Sequence, residues 1–203
     1  MSDTKEKPSL DADQILIAEF AYARETASQA MDDRHKLVNY FLLIVGLFLN
    51  AIVMLLKGEF DKSTLIDPEL SRIILSGLLF VLFLIGLLYL LKLIRLRLAW
   101  FDSAKCMNQI KDYYHDYLLD YHLKDKAFRW TTETLHTFKL NKVDTIFCYS
   151  ALLIIFIDSL AFGAMLLNAL PNNFWIAFVV FIVILLLQFL LYRSRLSRKK
   201  NSK

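Results

Sequence analysis

Only three prolines, five glycines and two cysteines occur in 203 residues. So little glycine and proline excludes a collagen-like fibre. Two cysteines, Cys106 and Cys148, cannot staple a disulfide-rich secreted scaffold. They flank a basic segment expected to face a reducing compartment, so both are expected as free thiols, and no metal motif uses them. No charge of either sign dominates, with 24 Lys plus Arg against 20 Asp plus Glu and a net charge of +4. What the chain has in excess is apolar surface: 57% of its residues are apolar and 14% aromatic, against roughly 45–50% apolar in ordinary globular domains. That excess excludes both a disordered chain and a water-soluble globule.

The apolar residues concentrate in four runs of about twenty, each long enough to cross roughly 30 Å of hydrocarbon at about 1.5 Å per residue. The first is Leu37 to Leu56, the second Ile73 to Leu91, the third about Thr145 to Asn168 and the fourth Phe174 to Tyr192. The fold class that follows is all-α, a polytopic membrane protein with four transmembrane helices and cytoplasmic helical extensions. Six segments are expected. A disordered lead occupies 1–11, an amphipathic cytoplasmic helix 12–36, a first transmembrane hairpin 37–91, a cytoplasmic helical segment 92–142, a second transmembrane hairpin 143–192 and a basic tail 193–203. The N-terminus is polar and the first apolar run begins only near Leu37, so no cleavable signal peptide is expected and the first span drives insertion.

Basic residues set the orientation. Five lie before the first span, ten between Lys92 and Lys142 and six in the tail, whereas the first external turn with its flanks holds Lys57, Lys62 and Arg72 and the second holds none. The positive-inside rule then places both termini and the central segment in the cytoplasm of a cell whose inner (plasma) membrane holds the chain. Trp175 and Tyr192 bracket the fourth span as interfacial anchors, and Gly46, Gly77 and Gly86 are expected at close helix approaches.

In the segment from Ala12, Leu16, Phe20, Ala23, Ala27, Ala30 and Met31 share one helical face, and its small residues allow a second helix to come close. No Gly or Pro occurs between Gly86 and Gly163. The second span is therefore expected to continue into the cytoplasm as a helix. There Trp100, Ala104, Met107, Ile110, Tyr114, Leu118 and Tyr121 form a stripe that packs on the N-terminal helix, with a break near Lys124 to Thr132 and Asn141 capping the third span. Ala23, Ala27, Ala30, Trp100, Met107, Tyr114 and Tyr121 are the expected contacts to an oligomer or a partner.

Chemistry-bearing patterns are sparse. Asp158 sits mid-span, where an ionised carboxylate costs at least ~2.5–3.5 kcal/mol, so it should face protein or water. Counted inward, Asp158 and Asn50 lie at the same depth and could hydrogen-bond; Asp158 then acts either as a polar lining or as a packing acid. Gln188 and Ser76 are expected interhelical hydrogen-bond partners. Asp112, Asp116 and Asp120, with His115 and His122 nearby, could recruit a divalent ion, but no metal-ligand motif accompanies them and a solvated acidic face accounts for them better. The aromatics from Tyr113 to Trp130 have no glycine-rich loop beside them, so packing rather than nucleotide stacking is expected. The basic tail fits attraction to anionic lipid, and nucleic-acid binding is not expected. With no nucleophile elbow, Walker loop, kinase set or dinucleotide fingerprint, neither an enzyme nor a cofactor is expected.

One resemblance covers roughly residues 12 to 130. Tyr22 and Arg24 on the N-terminal helix, the basic approach Arg34, His35 and Lys36, a span hairpin, and a long helix carrying Arg95, Arg97 and Trp100 together resemble the SLATT-type small bacterial membrane effectors. The resemblance implies an oligomeric pore-type effector in antiphage defence. Members of that family have a two-span form, and the second hairpin here is an addition to it. No nucleotide sensor is visible, so the trigger is expected to be a partner. The other function compatible with these residues is a non-conducting scaffold or regulatory subunit that docks a soluble cytoplasmic protein. The expected partners are therefore the lipid bilayer, further copies of the chain and such a protein. An ion-coupled transporter is disfavoured by the few intramembrane polar groups and the missing inverted repeat.

Overall fold

A computed structural model of the chain describes residues 12–60, 67–117, 145–171 and 173–198. Among these the chain is all-helical, with four helices: α1 Ala12–Phe60, α2 Pro68–Tyr117, α3 Ile146–Ala169 and α4 Phe174–Arg198. Each is long and apolar enough to cross a membrane. The lead 1–11, the break at Lys124 to Thr132, and Tyr121 and Asn141 fall outside the described residues.

Continuity is the main feature of the first two helices. The amphipathic stretch from Ala12 and the first span are one helix, α1, and the second span with its extension is one helix, α2. Nothing inside either stretch breaks the backbone ladder, since proline occurs only at the first position of α2, where its missing N–H costs nothing. Asp67 starts that helix by accepting the Glu69 N–H at Oδ1 (3.2 Å) and the Ser71 N–H at its carbonyl (3.0 Å). At α3 the cap is Thr145, whose extended backbone and Oγ1, 3.3 Å from the Cys148 nitrogen, open the helix. The expected cap, Asn141, is thus displaced by the hydroxyl four residues on. A tight turn joins α3 to α4: the Asn173 N–H reaches the Leu170 carbonyl at 3.0 Å, and the Asn173 carbonyl accepts from Ile176 and Ala177.

Two compact units divide the chain. One contains Met1–Met31 and Ala99–Lys139. In it Ala23, Ala27 and Ala30 are buried, as is Ile110, and Lys111 Nζ lies 5.8 Å from the Phe20 ring. The α2 extension packs on the N-terminal helix, but of the described residues of its expected stripe only Ile110 is buried; Trp100, Ala104, Met107 and Tyr114 are half-buried, and Ser103 and Asn108 are buried as well.

The other unit, Asp32–Leu98 with Leu140–Lys203, holds the four apolar segments. Here α3 touches each of the other helices. Phe162 meets Phe83 of α2 at 4.8 Å between ring centroids, Phe156 meets Phe181 of α4 at 6.1 Å, and Phe147 lies beneath Arg34 of α1. The α2–α3 register is constant. From the Gly86–Asp158 contact, eleven residues forward in α2 and eleven back in α3 reach Arg97 and Phe147. Ten residues the other way reach Ser76 and Asn168, whose Nδ2 donates to Ser76 Oγ at 2.8 Å and also to the Arg72 carbonyl. Large side chains of α4 such as Phe178, Val179 and Leu187 stay exposed, as a lipid-facing helix requires.

Three expectations are corrected here. A Cβ on Gly46 or Gly77 would meet nothing within 4 Å, so only Gly86 of those three marks a close approach. Tyr192 is buried, turned into the bundle beside Arg97 and Cys148 instead of outward to lipid, while Trp175 is exposed as an anchor would be.

Candidate functional site

Buried polar atoms gather in two places in the second unit. The first is mid-bundle. Asp158 and Ser159 of α3 and Gln188 of α4 are all at least nine-tenths buried. Gln188 Nε2 donates to Asp158 Oδ2, and Asp158 Oδ1 points at the bare Cα of Gly86, where any Cβ would collide with the carboxyl group. Helix α2 can come this close only because residue 86 has no side chain. Asp158 Oδ1, Ser159 Oγ and Gln188 Oε1 are left without a hydrogen-bond partner. The carboxyl group is therefore held by one amide and enclosed on the α2 side by a glycine, turned toward the protomer's own interior.

Asn50, the expected partner of Asp158, is not there. It is exposed on α1. Equal depth along two helices is necessary for a contact but does not fix the angle about the helix axis, and Gln188 occupies the place instead. Around α1, Asn39, Gly46, Asn50 and Lys57 all fall within about 20° of one direction at 100° per residue. All four are exposed. This makes a polar, small-residue stripe along the membrane segment of α1.

The second cluster lies at the opposite end of α3 from the α3–α4 turn. The guanidinium carbons of Arg34 and Arg97 lie 5.2 Å and 5.6 Å from the centroid of the same Phe147 ring. Arg34 is 1% exposed and Arg97 6%. Arg97 Nη1 donates to Thr145 Oγ1 at 2.8 Å, so the residue that caps α3 also ties it to α2. Arg34 Nη2 donates to the His35 ring, 2.5 Å from Nε2, whereas Arg34 Nη1 is buried with no partner. In the sequence these two arginines count toward orientation and toward the SLATT-type resemblance, and neither is singled out as buried. Spacing puts each within about two turns of a span end, but only the tertiary approach of Phe147 shows that they turn inward.

In the first unit, Trp100, Met107 and Tyr114 are half-buried. Leu16, Ile17, Phe20, Ile110, Lys111 and Tyr114 line a shallow cleft of about 230 Å³. Cys106 Sγ donates to Glu19 Oε1 at 3.8 Å, and burial together with that carboxylate pushes its thiol above the ordinary range. Both cysteines are free. No family model, curated protein or solved structure matches this chain.

Proposed function

We propose that the chain is the subunit of an oligomeric inner-membrane effector of pore type, with both termini in the cytoplasm, which acts in bacterial antiphage defence when a partner protein triggers it. The observation that carries this is the exposed stripe of Asn39, Gly46, Asn50 and Lys57 on α1. An amide at Asn50, some 20 Å inside the membrane segment, has no water to bond to in lipid, where burial without a partner costs several kcal/mol. A second copy of α1 satisfies it, because an amide both donates and accepts, and Gly46 lets the helices approach. Several such stripes facing one axis give an amide-lined path through the membrane. Asp158 then has a packing role, since it faces the interior of each copy. The defence context rests on the resemblance to SLATT-type effectors.

Two measurements on the full chain in lipid bilayers test this: subunit number and single-channel current. Discrete conductance steps from an oligomer are expected, with Asn50→Leu lowering both assembly and current and Leu187→Ala, on the lipid-facing side of α4, changing neither. A monomer that stays electrically silent in the presence of its partner would sink it.

A second function, a non-conducting scaffold that docks a soluble protein, is favoured by the cleft at Phe20 and Tyr114, where Ile17 remains 63% exposed. A stoichiometric partner lost on Ile17→Asp, with no ion flux in its presence, distinguishes it.

A further inference from the structure

The Arg34 and Arg97 guanidiniums share one aromatic ring, and their central carbons are therefore no more than 10.8 Å apart, the two ring distances taken together. Stacking on Phe147 offsets part of the cost of burying a cation. It satisfies none of the in-plane N–H groups. Arg34 has five such donors; one nitrogen serves His35 and Nη1 is buried with nothing to bond. A buried guanidinium with an idle edge, next to a second one, fits an anion that offers several oxygens in a fixed fork, which is the geometry of a phosphate.

Depth identifies the source. Arg34 lies three residues before the first apolar run and Arg97 six residues after the second. At 1.5 Å per residue these positions are about 4.5 Å and 9 Å outside the hydrocarbon, so Arg34 lies within the headgroup layer that adds some 5–8 Å to each side of a bilayer and Arg97 at its outer edge, with its guanidinium over the Phe147 ring. The anion most abundant at that level is a phospholipid phosphodiester. His35 is exposed and covers Arg34 Nη2, so it is a side chain that can swing aside to admit a headgroup.

We infer that Arg34, Arg97 and Phe147 form a phosphate-binding site at the membrane boundary, occupied by the headgroup phosphate of an anionic phospholipid. This site does not depend on the chain conducting ions, only on its helices crossing the bilayer.

The full chain, purified in a neutral detergent, is heated with phosphatidylglycerol, with diacylglycerol of the same acyl chains, or with sodium phosphate. Phosphatidylglycerol is expected to raise the unfolding temperature of the wild type and of Arg195→Gln, an exposed tail substitution, while diacylglycerol does not. For Arg34→Gln about tenfold more phosphatidylglycerol is expected for half the shift, the loss of a charge-assisted hydrogen bond, with Arg34→Lys in between. A shift produced by sodium phosphate alone, and lost in Arg34→Gln, keeps the site and places its ligand in solution. Equal shifts in wild type and Arg34→Gln overturn it. Should Arg34→Gln not fold, native mass spectrometry of the wild type decides: retention of phosphatidylglycerol over diacylglycerol, reversed by sodium phosphate, supports the site, and no preference overturns it.

Discussion

Asp158 is a costly residue made tolerable by two others. Gln188 provides an amide hydrogen and Gly86 provides room, so the three positions are expected to respond differently to substitution. Asp158→Asn keeps the shape and the hydrogen bond, and should leave insertion and folding unchanged. Asp158→Leu removes that bond and leaves the Gln188 amide buried without it, for a loss of ~0.6–2 kcal/mol. Gly86→Ala forces α2 and α3 apart and should cost about 1–3 kcal/mol, as overpacking does, while Gly77→Ala, with open space above it, should cost nothing. Denaturant titrations in detergent would measure all four, and equal stability of Gly86→Ala and Gly77→Ala would refute the contact. Cys106 lies outside the spans and provides a pH test. Because burial and Glu19 favour its neutral thiol, alkylation by iodoacetamide should stay slow at pH 7 to 8 and accelerate only above the ordinary thiol range. Glu19→Gln should move that rise to lower pH. Rapid alkylation at pH 7 in a Cys148→Ser background would contradict the Cys106–Glu19 geometry.

At the scale of helices, composition and period carried most of the information. The four spans follow from apolar run length, and the joining of α2 to its extension follows from the absence of any breaker after Gly86. Even the Asp158–Gln188 pair had a legible signal. Counted back from the turn they share, Asp158 lies about 17 Å along α3 and Gln188 about 21 Å along α4. Counting from the other end instead matched Asp158 with Asn50, because depth alone ignores which way a residue points. The same 100° rotation that excludes Asn50 from the interior aligns it with Asn39 and Lys57, so the outward stripe was present in the sequence. Burial of Arg34 and Arg97 was not legible. A basic residue next to a span ordinarily reaches for water, and only the tertiary approach of Phe147 turns these two inward.

For the whole molecule, orientation is the first thing to establish. Reporters fused after Lys203 and inserted near Lys124 should both report cytoplasm, and one at Lys62 the exterior. Accessibility of Lys124 from outside would reverse the proposed topology and move the arginine pair to the outer leaflet. Expression of the wild type with its partner should depolarise cells, and Asn50→Leu should do so far less.

The enclosure of Asp158 also constrains how the chain is made. During synthesis α3 emerges before α4, and until α4 arrives its mid-span acid has only half of its finished surroundings. The turn linking them spans only residues 170–173, too short to let the fourth helix wander far from the third. The two are therefore expected to leave the insertion machinery together, as a pair already joined through Gln188. A chain cut after Pro171 should lose the third helix from the membrane and be degraded, while Asp158→Leu in that same cut chain should restore its insertion.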